Sequence, residues 1–265
     1  MDEQHNASDD LQFQLKDGIG TITFNRPQAR NALTFAMYER LAQICGEADR
    51  DRSIKVLILQ GAGDKAFAAG TDIAQFRNFN GGEDGLAYER KMDGVLDAIE
   101  RAAVPTIAVV AGFCTGGGAA IASACDFRLA SAGARFGFPI ARTLGNCLSM
   151  ANYARFASLI GPQRVRELIL LARMIEATEA LAVGLVSEVH DSVTSLHSRA
   201  QELGMTLAGH APITMHTTRE ALRRLQAKIA DENIDDLIRQ TYASADFREG
   251  MNAFLEKRPP KWTGR

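Results

Sequence analysis

The chain has 265 residues, 46% of them hydrophobic and 23% charged, which is sufficient for a sizeable buried core. Its formal net charge of -2 at pH 7 leaves no excess of basic groups for a phosphate backbone, so we expect no nucleic acid partner. The polar, acidic residues 1–10 lack the basic start and the apolar run of a secretory signal, and no apolar run elsewhere is long enough for a bilayer. We therefore expect no membrane partner either.

The four cysteines are widely spaced and show none of the paired spacings that are typical of zinc or redox motifs. We therefore expect reduced thiols, a cytoplasmic location and no bound metal.

The N-terminal part of the chain predicts two strands, a helix and a third strand. Residues 11–24 alternate apolar and polar side chains around a glycine-containing turn, which indicates a β-hairpin. Between residues 31 and 48, apolar residues recur at helical spacing, and the polar residues 49–53 end this pattern. Residues 54–59 then predict a short buried strand.

The next part of the chain repeats this order. A helix is predicted over residues 86–101, and a strand over residues 106–111 follows the break at Pro105, before an apolar helix from Ala119. Such alternation is typical of right-handed parallel crossovers. The remaining pattern predicts helix from residue 163 onwards, short strands over 126–130, 135–137 and 184–190, and a helical C-terminal region over 195–256 that Pro212 interrupts.

Two segments place glycine where a predicted strand leads into a helix. They are residues 67–73 (FAAGTDI) and residues 112–120 (GFCTGGGAA). The first NH groups of a helix have no partner within it and favour an anion, and glycine lets the backbone approach a ligand. If the loops lie side by side, one NH group from each can converge on an oxygen that becomes negative during a reaction. Taken alone, a glycine run is more often a tight turn.

These segments occur together with others in one known family. The matching segments, in chain order, are NRPQARNAL (25–33), KAFAAGTDI (65–73), AGFCTGGG (111–118), CDFRLA (125–130), FG (136–137) and EGMNAFLEKR (249–258). They resemble the crotonase, or enoyl-CoA hydratase/isomerase, family, and they extend over nearly the whole chain.

This resemblance implies an α/β fold built as a spiral of ββα units, with a CoA-binding core over residues 1–194. The helical C-terminal region 195–265 would mediate trimer formation, so that the protein would be a homotrimer or a hexamer of two trimers. The resemblance also implies an acyl-CoA thioester as the substrate, with no cofactor beyond its CoA moiety.

Matching motif positions assign roles to individual residues. The donors of an oxyanion hole would be the backbone NH groups of Thr71 and Gly117, and the backbone at Ala69 would meet the adenine of CoA. The other candidates would contact CoA through their side chains: Arg26 and Arg30 at its phosphates, and Phe254 and Lys257 from a neighbouring subunit.

The sequence departs from the family at the acid/base positions. Typical hydratases of this family use two glutamates, one placed two residues after the glycine triplet and one directly after Phe-Gly-x-Pro. The two glutamates divide the work, because one carboxylate can activate water while the other transfers the proton of the α-carbon. Here the first position is Ala120 and the second is Ile140. If the alignment of the second position is shifted by one residue, that position is Ala141, which is no carboxylate either. A hydratase function would therefore rest on fold analogy.

The segment 140–149 offers other polar side chains. They are Arg142, Thr143, Asn146, Cys147 and Ser149. Asn146 could hold a water or a substrate hydroxyl, and Arg142 a substrate carboxylate. Cys147 would be a nucleophile only if a nearby base or positive charge lowered its pKa, and a single buried cysteine is usually inert.

Acidic residues near the predicted site also have competing interpretations. Glu89, Asp93 and Asp97 lie at positions i, i+4 and i+8 of the predicted helix, so they share one stripe and one of them could point inward. Because charged helix residues are mostly exposed, a solvated acidic face is the favoured interpretation. Asp72 lies at a helix start and is predicted to be a cap or a dipole partner.

The residues favour an acyl-CoA enzyme that stabilises a thioester enolate in a backbone oxyanion hole. The candidate reactions are isomerisation, decarboxylation, and hydration or lyase chemistry with an unusual acid/base. One alternative is a CoA-thioester-binding protein without efficient catalysis. The other is a thioester hydrolase that uses Cys147 or a water held by Asn146.

Overall fold

The computed structural model describes residues 10–265, so the acidic stretch 1–9 lies outside the described residues. The chain begins with the hairpin that the sequence predicts. Strands β1 (Leu11–Lys16) and β2 (Ile19–Phe24) pair antiparallel and are joined by residues 17–18.

A six-stranded sheet continues from this hairpin, in the order β1-β2-β3-β5-β7-β10. The added strands are β3 (Val56–Gly61), β5 (Thr106–Val110), β7 (Phe127–Ser131) and β10 (Glu188–His190). Every pairing after the hairpin is parallel. Strand β5 is buried along its whole length, which explains its continuous apolar run, since parallel sheets are covered on both faces. The predicted strand over 184–190 is confirmed only for its last three residues.

A second, four-stranded sheet lies beside the first, in the order β4-β6-β8-β9. Its strands are β4 (Ala66–Ala68), β6 (Phe113–Thr115), β8 (Arg135–Gly137) and β9 (Ile175–Glu176). Strands β4, β6 and β8 run parallel, and each follows a strand of the large sheet directly in the chain. This repeat of two strands and a helix is the predicted spiral of ββα units. Strand β8 agrees with the predicted strand over 135–137, whereas β4, β6 and β9 were not predicted, because strands this short are defined by pairing with their neighbours rather than by a pattern in the chain.

The helices around the sheets follow the predicted order, but the short helix at 140–143 was not predicted, and the helix predicted from residue 163 begins at residue 150. In the N-terminal part they are α1 (Phe35–Ala48), α2 (Gly82–Arg101), α3 (Gly117–Ala124), α4 (Ile140–Thr143), α5 (Met150–Leu170) and α6 (Ala177–Ala182). Helix α1 begins four residues after the predicted start, because the Thr34 side chain caps it by accepting a hydrogen bond from the Met37 NH. Helix α3 begins two residues before the predicted Ala119, directly at Gly117.

The C-terminal region is helical, as predicted, and consists of α7 (Val193–Ala208), α8 (Pro212–Ile229), α9 (Asp235–Ala243) and α10 (Ala245–Leu255). Pro212 stands at the first position of α8, where its missing NH costs no hydrogen bond. Helix α8 contains no buried residue. The division at residue 194 and the role of this region in trimer formation stay predictions. Among the helices of residues 10–265, none combines the length and the apolar character needed to cross a bilayer.

The apolar core divides into a main cluster and two smaller ones. The main cluster lies between one face of the large sheet and helices α1, α2 and α3, and α7 covers the opposite face. The second of the smaller clusters, which we call the aromatic cluster, joins α2, α9 and α10. It contains the rings of Phe76, Phe79, Tyr88, Tyr242 and Phe247. This cluster brings the C-terminal helices to the edge of the two glycine loops.

Candidate active site

The two glycine loops touch at the carboxyl ends of neighbouring strands. Strands β4 and β6 pair in parallel, so the chain after β4 (Gly70) and the chain after β6 (Gly116) leave the sheet side by side. A Cβ atom added to Gly70 would lie 3.8 Å from the backbone nitrogen of Gly117. Gly70 and Gly116 have φ angles of 102° and 51°, which favour glycine. The side-by-side arrangement expected from the sequence is therefore present.

The backbone at these loops leaves two NH groups outside the local hydrogen bonding. Leu33 bridges the first loop by donating to the Gly70 carbonyl at 2.8 Å and accepting from the Asp72 NH at 2.9 Å. The intervening Thr71 NH takes no part in that bridge. Gly117 is the first residue of α3, where an NH group has no carbonyl one turn earlier to bond. Their joint use by one bound oxygen stays a prediction.

Partly buried hydroxyl groups connect the first loop to α1 and α2. The Thr71 Oγ1 lies 2.8 Å from the Tyr38 Oη and 2.7 Å from the Tyr88 Oη. Burial raises the pKa of both tyrosines well above the ordinary value. Both phenols are therefore neutral and act as hydrogen-bonding groups that fix Thr71 in place.

A cavity of about 50 Å³ lies against the Gly116-Gly117 turn. Its lining residues come from α1, α2, the second glycine loop with α3, and the chain from residue 138 to the first turn of α5: Tyr38, Tyr88, Glu89, Met92, Leu96, Gly116, Gly117, Ala120, Phe138, Ile140, Asn146, Leu148 and Asn152. Both positions at which the family resemblance leads one to expect a glutamate, Ala120 and Ile140, are in this lining. The cavity is therefore the space into which those two carboxylates would project.

The predicted solvated acidic face of α2 does not include Glu89, which is buried. Its side chain is 4% exposed, with Oε1 accepting from the Tyr242 hydroxyl at 2.6 Å and Oε2 accepting from the Ser149 NH at 3.1 Å. Asp93, one turn later, accepts from the Ser149 hydroxyl at 2.6 Å, whereas Asp97 is 44% exposed and pairs with Arg101. The interpretation as a solvated face is thus correct for Asp97 and wrong for Glu89.

The sequence did contain a signal for the burial of Glu89. It lies three residues after Leu86 and three before Met92, both of which are buried, and residues at this spacing share one face of a helix. Charge alone outweighed that pattern in the prediction.

Burial and, to a smaller extent, the negative charge of Asp93 raise the pKa of Glu89, while the bonds from Tyr242 and Ser149 oppose the rise, and the resulting pKa is about 8. The carboxyl group is therefore mostly protonated at neutral pH. A group with a pKa near the working pH can both donate and accept a proton.

Asn146 and Cys147 lie next to each other but differ in their relation to the cavity. Asn146 lines it and donates weakly to the Tyr242 hydroxyl at 3.4 Å, while its Oδ1 is buried without a hydrogen-bond partner among residues 10–265. Cys147 packs against the aromatic cluster, and burial, together with the charge of Glu89, raises its pKa to about 11. The thiol is therefore neutral, which argues against its predicted role as a nucleophile.

The other polar candidates of this segment have local roles. The Ser149 hydroxyl caps α5 by accepting from the Asn152 NH, and the Thr143 hydroxyl donates to the Pro139 carbonyl. Arg142 is exposed.

The predicted CoA contacts fall into two groups. The Arg26 Nη1 donates to the Ala32 carbonyl at 2.7 Å and to Asp72 at 3.0 Å, so this guanidinium is already bonded within the protein. The Ala69 NH donates to the Arg30 carbonyl at 3.1 Å, which holds these two candidates together. Asp72 caps the short helix after it by accepting from the Ala74 NH, which confirms the predicted cap.

Arg30 and the C-terminal candidates remain open to solvent or ligand. The Arg30 guanidinium lies 5.3 Å above the Phe113 ring and lines a shallow cavity together with Lys65 and Arg135. Phe254 and Lys257 are exposed at the end of α10. The CoA-binding roles of all five candidates stay predictions.

Comparison with known proteins adds the decisive observation on the family. Residues 14–265 match the family model for enoyl-CoA hydratase/isomerase. The chain belongs to the enoyl-CoA hydratase/isomerase family. The short-chain-enoyl-CoA hydratase of Clostridium acetobutylicum is 33% identical over 249 residues, which cover 92% of this chain and 94% of that protein.

Two solved structures share the fold of this chain. An enoyl-CoA hydratase/carnithine racemase from Magnetospirillum magneticum is 32% identical, with a TM-score of 0.78 and coverage of 97% of this chain and 96% of that one. A methylmalonyl-CoA decarboxylase in complex with 2-nitronate-propionyl-CoA is 29% identical, with a TM-score of 0.87 and coverage of 96% and 98%. The predicted family and fold are thereby confirmed, and the chain is an acyl-CoA-processing enzyme of the enoyl-CoA hydratase/isomerase family.

Proposed function

We propose that this enzyme binds the thioester carbonyl of an acyl-CoA between the backbone NH groups of Thr71 and Gly117 and stabilises the enolate that forms there. The observation that carries the proposal is the contact between the two glycine loops at the ends of β4 and β6. Fixed NH groups aimed at a developing negative charge stabilise a transition state by about 3 kcal/mol per donor. A thioester enolate places such a charge on its oxygen.

A basic surface near the same strands supports CoA as the carrier of the acyl group. Arg30, Lys65 and Arg135 line one shallow cavity at the start of β4, β6 and β8. The glycine loops stand at the opposite ends of β4 and β6, about 10 Å away at the rise of a β-strand. Cationic side chains at this distance from the hole are suitable for the phosphates of CoA.

The cavity favours a short acyl group. The cavity is small, at about 50 Å³, and apolar side chains such as Met92, Leu96, Phe138 and Leu148 form much of its wall. The names of two similar proteins, a short-chain-enoyl-CoA hydratase and a methylmalonyl-CoA decarboxylase bound to a propionyl-CoA derivative, agree with this size.

The reaction that follows enolate formation is restricted by Ala120 and Ile140, which provide no carboxylate. Hydration by two glutamates at these positions is therefore not proposed. Isomerisation, decarboxylation, and hydration or lyase chemistry with an unusual acid/base remain, because each can pass through the thioester enolate that the hole would stabilise.

One experiment tests the proposal against its alternatives. The purified protein is incubated in deuterium oxide with short acyl-, enoyl-, 3-hydroxyacyl- and malonyl-type CoA thioesters, and masses of substrate and products are followed. We expect deuterium at the α-carbon or product formation without release of free CoA. Free CoA as the main product would favour the hydrolase, and tight binding without any change of mass would favour the non-catalytic binding protein. Absence of thioester binding would contradict the proposal entirely.

A variant of the second loop tests the hole itself. Gly117→Pro removes one donor NH, and we expect the rate of the detected reaction to fall at least about 100-fold, as for the loss of one oxyanion donor. The matched control is Gly46→Ala in α1, away from both proposed cavities, where an added Cβ meets no atom within 4 Å. A Gly117→Pro enzyme as active as this control would refute the hole.

A further inference from the structure

The cavity beside the Gly116-Gly117 turn has one carboxylate among its described lining residues. Glu89 reaches this cavity from α2, and the same lining includes Gly117, Ala120 and Ile140. A carboxylate therefore faces the space beside the proposed hole. It comes from α2, whereas the family resemblance leads one to expect glutamates at Ala120 on α3 and at Ile140 on α4.

We propose that Glu89 is the acid/base catalyst that transfers the α-carbon proton to and from the thioester enolate. This inference rests on the proposed enolate site at Thr71 and Gly117. It assigns a carboxyl group to a reaction for which Ala120 and Ile140 supply none.

The hydrogen bonds of Glu89 hold it in place and still leave it able to react. Tyr242 donates to Oε1 and the Ser149 NH donates to Oε2, so the carboxyl plane is fixed from α9 and from the start of α5. An ionised carboxylate has about four acceptor positions, and these two bonds occupy only half of them. The remaining positions are available for a proton of a substrate in the cavity.

The proton transfer balances without a further reagent. The Glu89 carboxylate takes a proton from the α-carbon, and the electron pair of the broken C–H bond enters the enolate, whose negative charge lies on the thioester oxygen between the two NH groups. In the reverse direction the neutral carboxyl gives its proton to the α-carbon, and the enolate electron pair forms the new C–H bond. Between these steps the carboxyl proton exchanges with water.

The groups around Glu89 favour its neutral form. No Lys or Arg is among the residues that line the cavity. The titratable groups that face Glu89 are Tyr38 on α1, Tyr88 and Asp93 on α2, Cys147 before α5, Tyr153 on α5 and Tyr242 on α9. Because none of them is cationic, the carboxyl is ready to protonate an enolate at neutral pH, and it becomes a base as the pH rises through about 8.

A purely structural role for this carboxyl predicts different kinetics. Glu89 would then only join α2 to Tyr242 and Ser149, and the rate of proton exchange would not follow its titration. The pH profile separates the two roles, since removal of the α-proton requires the ionised form.

The test measures deuterium incorporation at the α-carbon of butyryl-CoA in deuterium oxide between pH 6 and 10, together with binding of butyryl-CoA by calorimetry. For the wild type, we expect the rate to rise with pH and to level off above about 8. For Glu89→Gln, which keeps the shape and hydrogen-bonding capacity of the side chain, we expect a loss of about 100-fold or more with binding retained.

Two neighbouring variants provide the control and a second test. Asp93→Asn is matched to Glu89→Gln, because Asp93 lies one turn along the same helix and is not in the cavity lining. It should retain exchange within a few-fold and move the midpoint of the pH profile down, because the Asp93 charge raises the Glu89 pKa. Tyr242→Phe should move the midpoint up, because the Tyr242 bond lowers that pKa.

The outcomes distinguish this inference from the function on which it rests. Exchange by Glu89→Gln at the wild-type rate overturns the role of Glu89 and leaves the enolate site standing. If Glu89→Gln does not fold, a Tyr242→Phe profile with an unmoved midpoint overturns the role instead. A wild type that binds butyryl-CoA without any exchange overturns the role of Glu89, and the enolate site falls with it if none of the other thioesters exchanges or reacts.

Discussion

The raised pKa of Glu89 makes a prediction about stability that does not depend on any substrate. The carboxyl has a pKa of about 8 in the folded protein against the ordinary value of 4.5. Between these values the folded state retains a proton that the unfolded state has released, so the free energy of unfolding falls as the pH rises. Glu89→Gln removes this titration and should therefore be less sensitive to pH than the wild type.

The magnitude follows from the same two values. Between pH 6 and pH 8, the contribution of Glu89 to the free energy of unfolding should fall by about 2 kcal/mol, with a slope approaching about 1.4 kcal/mol per pH unit. Above about pH 8 the loss should level off. Because other titrating groups are common to both proteins, the difference between wild type and Glu89→Gln isolates this contribution.

Equilibrium denaturant unfolding at equal protein concentration, at pH 6, 7, 8 and 9, measures this difference. We expect the wild type to lose stability relative to Glu89→Gln as the pH rises to 8. A constant difference across the four values would mean that the carboxyl is ionised in the folded protein throughout, and the argument from its burial would be refuted. Asp51, which is exposed on a turn, offers the matched control Asp51→Asn, for which no such trend is expected above pH 6.

Further variants test other parts of the site and the core. Gly117→Ala should lower the reaction rate sharply, because the added Cβ would overlap the Tyr38 hydroxyl. The double variant Gly117→Ala/Tyr38→Phe should recover part of the rate, since the donor NH is still present. No recovery in steady-state kinetics would contradict this steric account. Leu96→Ala should enlarge the cavity and raise kcat/KM for acyl chains longer by one or two carbons relative to the shortest ones, and an unchanged chain-length profile would argue against the cavity as the acyl site. Cys147→Ala should keep wild-type rates in every assay, because the thiol is neutral, whereas a loss of free-CoA release would restore the nucleophile hypothesis. Arg128→Met should destabilise the fold by about 3 kcal/mol or more in denaturant unfolding. The buried guanidinium donates to the carbonyl oxygens of three residues, and the variant leaves these oxygens without that donor. A change below about 1 kcal/mol would contradict the expectation.

Several features could be predicted because their signal is local in the chain. The hairpin of residues 11–24 and the buried strands β3 and β5 follow from side-chain alternation and short apolar runs. The cap formed by Asp72 depends on a backbone NH only two residues later. The two glycine loops were found because glycine at strand ends and helix starts has a direct conformational reason.

Other features depend on contacts between distant segments. Strands β4 and β6 contain three residues each and exist as strands because they pair with each other and with β8. Cys147 is a neutral thiol because it packs, partly buried, against the aromatic cluster, which no neighbouring residue in the chain reveals.

Glu89 shows most clearly which properties follow from the sequence alone and which follow only from the folded structure. The sequence by itself determined the family, the order of the elements, the two glycine loops and the absence of carboxylates at Ala120 and Ile140. Only the tertiary structure decided that Glu89 is buried beside those positions, because its partners Tyr242 and Ser149 lie 153 and 60 residues away in the chain. Desolvation and hydrogen bonding act through space, so the protonation state of this carboxyl is a property of the folded protein and not of the helix that contains it.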